Sequence, residues 1–401
     1  MVAAMNAVNP AAAPAENAAP AQVPTPALHG LLVADFSRVL AGPYATMLLA
    51  DLGADVVKVE RPDSGDDTRA WGPPFAADGT ATYFLGVNRN KRSIALDLRS
   101  PEDVALAQEL IRRADVVVEN FLPGTMERLG LGYDRMREQN PGVVYCSITG
   151  FGDGAGADLP GYDLLAQAVG GLMSVTGEPG EPTKAGVALV DVITGLHAAF
   201  GVLAALRHRD ATGEGQRVSV SLLTSLLSGL VNHASAYLAA DVVPRAMGNR
   251  HPSIAPYEVF DAADRPMVIA AGNDRQFHSL CTALGAPALA ADPRFATNTS
   301  RVAHRDALIP ELNQRLAARP AEEWFRTLTE AGVPCGPIND VADAFALADR
   351  LGLDAAVEVG GVRQTAHPVR FSTTPAAYRA APPALDADGG AIRQWLAQRL
   401  D

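Results

Sequence analysis

A doubly wound α/β fold with a second, smaller α+β domain is what this 401-residue chain predicts, on three observations. Short apolar runs alternate with helix-periodic stretches from Leu31 to Gly152, the pattern of a parallel sheet covered by helices. The first alternation closes within about 30 residues, the length of one β-α-β unit. Beyond Gly248 the pattern changes to one apolar run and three amphipathic helices, followed by a Pro/Ala-rich end.

Taken in order, LLVADFS from Leu31 is a short buried strand, and AGPYATMLLADLGA has helix periodicity that stops at Gly53. DVVKVERP (Asp55 to Pro62) is a second strand closed by a proline, and SGDDTRAWGPP is a polar loop. RSIALDL (Arg92 to Leu98) is a third strand. Ser100, Pro101 and Glu102 supply helix-start chemistry for PEDVALAQELIRRA, whose apolar residues share one face. DVVVENF (Asp115 to Phe121) is a fourth strand, TMERLGL and YDRMREQNP are short helices, and VVYCSITGFG (Val143 to Gly152) is a fifth strand running into a glycine-rich loop. GYDLLAQAVGGLMSVTG from Gly161 reads as one helix. The run Val187 to Val190 reads as extended and leads into Asp191 at a helix start. TGEGQR (Thr212 to Arg217) is a turn, followed by a strand to about Ser221 and a helix after it. GNRHPSIAP (Gly248 to Pro256) is a crossing loop and MVIAAGN (Met267 to Asn273) a strand. RQFHSLCTALG, RDALIPELNQRLAAR and AEEWFRTLTEAG are amphipathic helices, and VEVGGV and HPVRFS are short late strands.

This divides the chain into an Ala/Pro-rich disordered tail over 1–28, a large Rossmann-like domain over 29–225, a linker over 226–248, a small α+β domain over 249–345, and a segment over 346–401 that packs back on the large domain. The net charge of −12 argues against a nucleic-acid partner. Three widely spaced cysteines, Cys146, Cys281 and Cys335, read as free thiols of a reducing compartment. The eight scattered histidines have no metal-ligand spacing, so no metal is expected. No apolar run approaches the roughly 20 residues of a membrane span, and the tail lacks the features of a signal or transit peptide. A cytoplasmic protein is expected. The turn SRVLAGP after the first strand lacks GxGxxG, and GFGDGAG has the wrong spacing, so the nicotinamide-dinucleotide fingerprint is missing.

Several side chains stand where chemistry is expected. As a structural group Asp191 would be an N-cap. As a functional one it is a carboxylate in a dry pocket, among Val187, Ala188, Leu189, Val190 and Ile193, beside amides able to stabilise an oxyanion. Spacing alone leaves both open. Asp163 is likewise either the cap of its own helix or a second carboxylate near Asp191, with Tyr162 beside it. Arg61, Arg99 and Arg128 follow strands, and the strand ends of an open α/β sheet line its ligand crevice. Arginines there suit phosphate. Asn120 and Phe121 at another strand end offer an amide and a stacking face.

With those residues in view, the chain resembles the class III CoA-transferases, the CaiB/BaiF family. The resemblance lies in VLAGPYATMLLADLGADVVKVERPDSGDDTR, NKRSIALDL, DVVVENFLPGTMERLGL, GYDLLAQAVGGLM, VALVDVITGLHAAFGVLAAL and TGEGQRVSVSLL, and later in GNRHPSIAPYEVF, AGNDRQF and AGVPCGPINDV. It covers about 30 to 400, and the later motifs look most like succinyl-CoA-dependent dicarboxylate members, such as the succinate–hydroxymethylglutarate (glutarate) CoA-transferases. The resemblance implies an interlocked homodimer, coenzyme A as co-substrate in an acyl-CoA, and a carboxylic acid as acceptor. It makes Asp191 the nucleophile. It assigns CoA contacts to Leu40, Ala41, Arg61, Leu96, Asp97, Leu98, Arg99, Asn120, Phe121, Leu122 and Arg128. The glycine-rich lid of the formyl-CoA members is missing, and GNRHPS stands nearby. For a dicarboxylate, Arg250 and His251 of that loop are the candidates for the distal carboxylate, with a surface loop arginine as the plainer alternative. The implied reaction passes through an aspartyl mixed anhydride and an aspartyl-CoA thioester. Two rivals stand beside it. One is a 2-methylacyl-CoA racemase on the same fold, disfavoured because Tyr162 replaces the histidine of that branch's His-Asp pair. The other is a non-catalytic CoA-binding protein.

Overall fold

The computed structural model describes residues 25–398. The elements run β1 (Leu32–Asp35), α1 (Ala41–Asp51), β2 (Asp55–Glu60), a 3-10 turn Asp67–Ala70, α2 (Thr82–Leu85), β3 (Lys91–Ala95), α3 (Pro101–Arg113), β4 (Val116–Glu119), α4 (Thr125–Arg128), α5 (Tyr133–Gln139) and β5 (Val144–Thr149). They continue with α6 (Asp163–Val169), α7 (Leu172–Val175), α8 (Leu189–Thr212), β6 (Arg217–Ser221), α9 (Leu222–Gly229) and α10 (Val231–Ala240). The second part holds β7 (Tyr257–Asp261), β8 (Pro266–Ala270), α11 (Asp274–Ala283), α12 (Pro287–Ala291), α13 (Asn298–Ala303), α14 (Arg305–Leu316), α15 (Ala321–Glu330), β9 (Cys335–Pro337), α16 (Val341–Arg350), β10 (Ala356–Val359), β11 (Val362–Thr365) and α17 (Gly389–Ala397).

Six parallel strands form one sheet in the order β3-β2-β1-β4-β5-β6. Both faces are covered, so alternate residues of one strand enter different cores. Val33, Val116 and Val118 pack with Leu49 of α1 and Ala198 and Val202 of α8. Ala34 and Val117 face the other way, onto Leu110 and Ile111 of α3. This double burial is why the central strands β2 and β4 are rich in valine, as in DVVKVE and VVVE.

Ile392 and Leu396 of α17 join the α3-side core. Ahead of that helix, the chain lies along edge strand β3. Ser93 and Ala95 donate to Asp388 and Asp386 at 2.9 and 2.8 Å, and Arg393 donates to the Ala95 carbonyl. The small domain pairs β7, β8 and β9 antiparallel and packs Phe260, Met267, Ile269, Phe277, Leu312 and Trp324 into its own core.

Several expectations need correction. The third strand ends at Ala95, three residues early, because Asp97 turns back to receive the Arg99 amide. The run Val187 to Val190 is not extended: α8 begins at Leu189, and Val187 is 58% exposed where burial was expected. The stretch from Gly161 makes two helices, broken at Gly170 and Gly171, the latter at φ +88°. HPVRFS is not a strand, while VEVGGV is the tip of the β10-β11 hairpin, turning at Gly360 and Gly361. β7, β9, α16 and α17 were not anticipated. Most of the expected tail over 1–28 lies outside the described residues, but Leu28 is ordered. It donates to the Leu52 carbonyl at 2.9 Å and packs on the α1-side core. Finally, α8 is long and apolar enough to cross a membrane by length and composition, with a mean hydropathy of 1.9 in its best window. Its small inward residues are instead buried against α1 and the sheet.

Candidate active site

In the observed strand order the connections leave β1 and β4 in opposite directions. The loops after these two strands part there, the usual ligand position in an open sheet. Arg38, Val39, Leu40 and Ala41 after β1, and Asn120, Phe121, Leu122 and Pro123 after β4, line a crevice of about 310 Å³ together with Tyr162 and Asp191. A second recess of about 540 Å³ is lined by Arg61, Leu96, Asp97, Leu98 and Arg99 among others. Arg38 and Phe121 line both, so the two recesses adjoin.

Asp191 does not cap its helix. The α8 N-cap is Ala188, which makes no side-chain bond, and Asp191 sits within the first turn. The capping comes from α6: Asp163 Oδ1 accepts the amides of Val190 at 2.8 Å and Asp191 at 3.2 Å. Asp163 Oδ2 accepts from Gln167, whose own oxygen accepts the Ala185 amide. Asp163 therefore caps α8 and not its own helix, whose N-cap is Tyr162. With that duty met, the Asp191 carboxylate makes no hydrogen bond among the described residues and faces the crevice. Burial, and then the Asp163 charge, push its carboxyl up to about 7.

Across the crevice α1 begins at Ala41, its Leu40 N-cap making no side-chain bond. The amides of Leu40, Ala41 and Gly42 reach no acceptor among the described residues, so they are free donors at a positive helix end. The separation of α8 from this end is set by Gly195, where a Cβ would stand 2.6 Å from the Ala41 carbonyl. A basic carboxylate opposite free amides can attack a carbonyl and stabilise the oxyanion that forms.

The expected contacts divide unevenly. Leu40, Ala41, Asn120, Phe121, Leu122 and Tyr162 line the Asp191 crevice; Arg61, Leu96, Asp97, Leu98 and Arg99 line the second recess. Asn120 has a second duty, its amide accepting from Arg38 N at 2.9 Å and donating to Arg38 O at 2.7 Å. Arg61 is paired with Asp67 and Arg99 with Asp97. Arg128 lines neither cavity and donates to Thr125 Oγ1. Arg250 and His251 lie in the loop before β7, away from both linings. Arg250 is loosely held by Glu258 at 3.6 Å and Asp306 at 3.8 Å, and His251 packs on Tyr257.

Two residues close to Asp191 escaped the sequence reading. Arg38 lines both cavities, lies over Phe121 at 5.3 Å, and has a buried Nε without a partner. It follows β1 directly, so the rule that selected Arg61 would have selected it. Tyr83 stands edge-on to Trp71 at 5.4 Å. Burial, and then the charges of Asp191 and Asp163, push its phenol up to about 12, leaving a neutral donor near Asp191. Nothing in the surrounding sequence marks it. Among the described residues no group of three His, Cys, Asp or Glu is arranged to hold a metal.

Comparison with known proteins bears on this site. The family model described as CoA-transferase family III matches residues 28–389. The chain is 45% identical over 379 residues, 90% of its length and 93% of the relative's, to the succinate–glutarate CoA-transferase of Agrobacterium fabrum. It is 42% identical over 372 residues to the acetyl-CoA:oxalate CoA-transferase of Acetobacter aceti, covering 92% of this chain and 95% of that one. A crystal structure of a CAIB/BAIF family protein from Brucella suis superposes with a TM-score of 0.85 at 44% identity, covering 93% of this chain and all of that one.

Proposed function

The chain belongs to CoA-transferase family III and is an acyl-CoA:carboxylate CoA-transferase, and from that premise we propose that Asp191 is its covalent nucleophile and that dicarboxylic acids are its substrates. One observation carries the first part: Asp163 does the capping, and Asp191 is left as a free carboxylate facing the crevice.

The Asp191 oxygen attacks the thioester carbonyl of the donor acyl-CoA. The C–S bond breaks, CoA leaves as thiolate, and an aspartyl mixed anhydride remains. The thiolate, held through its nucleotide end in the second recess, attacks the aspartyl carbonyl. The anhydride C–O bond breaks, the donor acid leaves as carboxylate, and aspartyl-CoA is formed. The acceptor carboxylate then repeats both steps in reverse, so no water is consumed and the thioester energy is kept. The difficulty is that a carboxylate must expel a thiolate. At an ordinary 3.8 Asp191 would lie about 5 pK units below a thiol near 8.5. Raised to about 7, it lies about 1.5 units below, and the Leu40 and Ala41 amides meet the developing oxyanion.

The acceptors in the relatives' names, glutarate and oxalate, are both dicarboxylates, which supports a dicarboxylate here, and the succinate of the first supports succinyl-CoA as donor. Arg250 and His251 would meet the distal carboxylate. Since they line neither cavity of their own chain, this reading requires a second copy, and the exposed apolar side chains of α6, α8 and α10 support a homodimer. A cytoplasmic location accords with three free cysteines. Racemisation is the weaker reading, because no imidazole lines the Asp191 crevice.

Incubation with succinyl-CoA followed by hydroxylamine should label Asp191 in peptide maps. Asp191→Ala should lose both the label and CoA exchange. Turnover with Asp191 unlabelled sinks the covalent route.

A further inference from the structure

Val39, two residues before α1, has φ of 70°. A β-branched residue there is a genuine outlier, and such strain persists only where the surroundings over-determine it. They do so here. The Val39 amide donates to both oxygens of Asp66, each at 3.3 Å. The Ser37 carbonyl accepts from Lys58 Nζ at 3.0 Å, and Asn120 clamps both backbone groups of Arg38. Asp66 is itself fixed. It is 2% exposed, paired with Lys58 at 2.9 Å, and accepts the amide and hydroxyl of Thr68 at 3.0 and 2.8 Å. Its amide donates to Glu60, which holds Arg69 and Ser93. A buried chain of charges thus runs from the loop after β2 to the turn after β1.

We propose that Asp66 is a positioning residue for the reaction: by holding Val39 in the left-handed region it points the Leu40 and Ala41 amides into the crevice opposite Asp191. The effect on chemistry rests on the reading of Asp191 as nucleophile; the effect on the turn does not. Asn at position 66 keeps the shape but puts an NH₂ group in place of one of the two oxygens shared by the Val39 amide, and it removes the charge opposite Lys58. The Val39 backbone is then free to relax toward negative φ, and the amides turn with it.

Asp66→Asn is therefore expected to lower kcat at least about tenfold, as misplacing a reacting group by a fraction of an ångström does. Glycine adopts positive φ without strain. Val39→Gly placed in the same chain should therefore restore kcat to within about threefold of the Val39→Gly single variant. A purely fold-holding role would not be rescued at Val39. Should Asp66→Asn fail to fold for want of a partner to Lys58, the paired change Lys58→Met with Asp66→Leu removes both charges together. It also removes the acceptor, and the same loss and rescue are expected. Hydrogen exchange of the peptide over 37–42 reads the turn without turnover and should quicken about tenfold in Asp66→Asn, as the Val39 amide loses one of its two acceptors. Unchanged exchange, an unchanged kcat beside faster exchange, or a loss that Val39→Gly leaves in place each overturns the proposal. Wild-type protein that exchanges CoA without labelling Asp191 overturns the nucleophile reading instead, and the exchange experiment still decides the turn.

Discussion

At the scale of single residues, the behaviour of Asp191 follows from what surrounds it. Its carboxyl is raised to about 7 by burial and then by Asp163, and only the ionised form can attack. Below that pH the attacking form falls tenfold per unit, so kcat/KM should rise with pH through about 7 and level off above. Asp163→Asn keeps an oxygen for the Val190 and Asp191 amides but removes the like charge. The acidic limb should then move to lower pH, which a pH profile of the two proteins reads directly; an unmoved limb would assign the titration to another group. Arg38 carries a separate expectation. As a half-buried cation shared by both cavities and only loosely paired with Asp67 at 3.5 Å, it suits a phosphate of CoA, and a charge-assisted bond of about 1.5–3 kcal/mol corresponds to a rise in acyl-CoA KM of roughly tenfold or more in Arg38→Ala. Arg128→Ala, outside both linings, should leave KM near its original value. At this scale the sequence was only partly readable. An acid at a helix start was visible, but the group that relieves it of capping stands 28 positions earlier, and no local pattern links the two.

At the scale of elements, the strands were legible because both faces of the sheet are buried, which makes the central strands β2 and β4 rich in valine between polar turns. The start of α8 was not. VALV has the look of an extended segment, but its last two residues enter α8, where Asp163 from α6 supplies the acceptors the first turn lacks. α17 has apolar positions at Ile392, Trp395 and Leu396, a periodic signal hidden by the shortness of the helix. The contact of α8 with α1 sets how Asp191 faces the free amides, and it is made close by a missing side chain. A Cβ on Gly195 would lie 2.6 Å from the Ala41 carbonyl and 3.1 Å from Tyr44. Backbone cannot yield as a flexible side chain can, so Gly195→Ala should push α8 outward at a cost of about 1–3 kcal/mol. Because Asp191 lies one turn away, kcat should fall more than the acyl-CoA KM rises. Thermal denaturation and steady-state kinetics together test this; a stability loss with kcat intact would mean that α8 moves without carrying Asp191.

At the scale of the whole molecule, the single chain leaves two features unexplained that one assembly would explain together. Large apolar side chains stand in solvent along neighbouring helices: Phe200 of α8 is 74% exposed and Leu238 of α10 is 80% exposed, with Val169 of α6 and Val231 of α10 nearby in the same set. Patches of this kind mark interfaces. Meanwhile Arg250, the candidate for the distal carboxylate, lies in a loop that lines neither cavity of its own chain. If the second copy covers the helices and brings its Arg250 loop to this crevice, each active site draws on two chains. Co-expression of differently tagged Asp191→Ala and Arg250→Ala chains tests this. In the isolated heterodimer, acting in trans, the intact Asp191 of one chain meets the intact Arg250 of the other, giving one complete site and one with neither residue. Turnover of a dicarboxylate should then be about half that of the wild-type dimer, as expected for independent sites. Acting in cis, the only chain with Asp191 lacks its own Arg250. The heterodimer would then fall to half the rate of the Arg250→Ala homodimer, and that result would return Arg250 to the role of a surface loop residue.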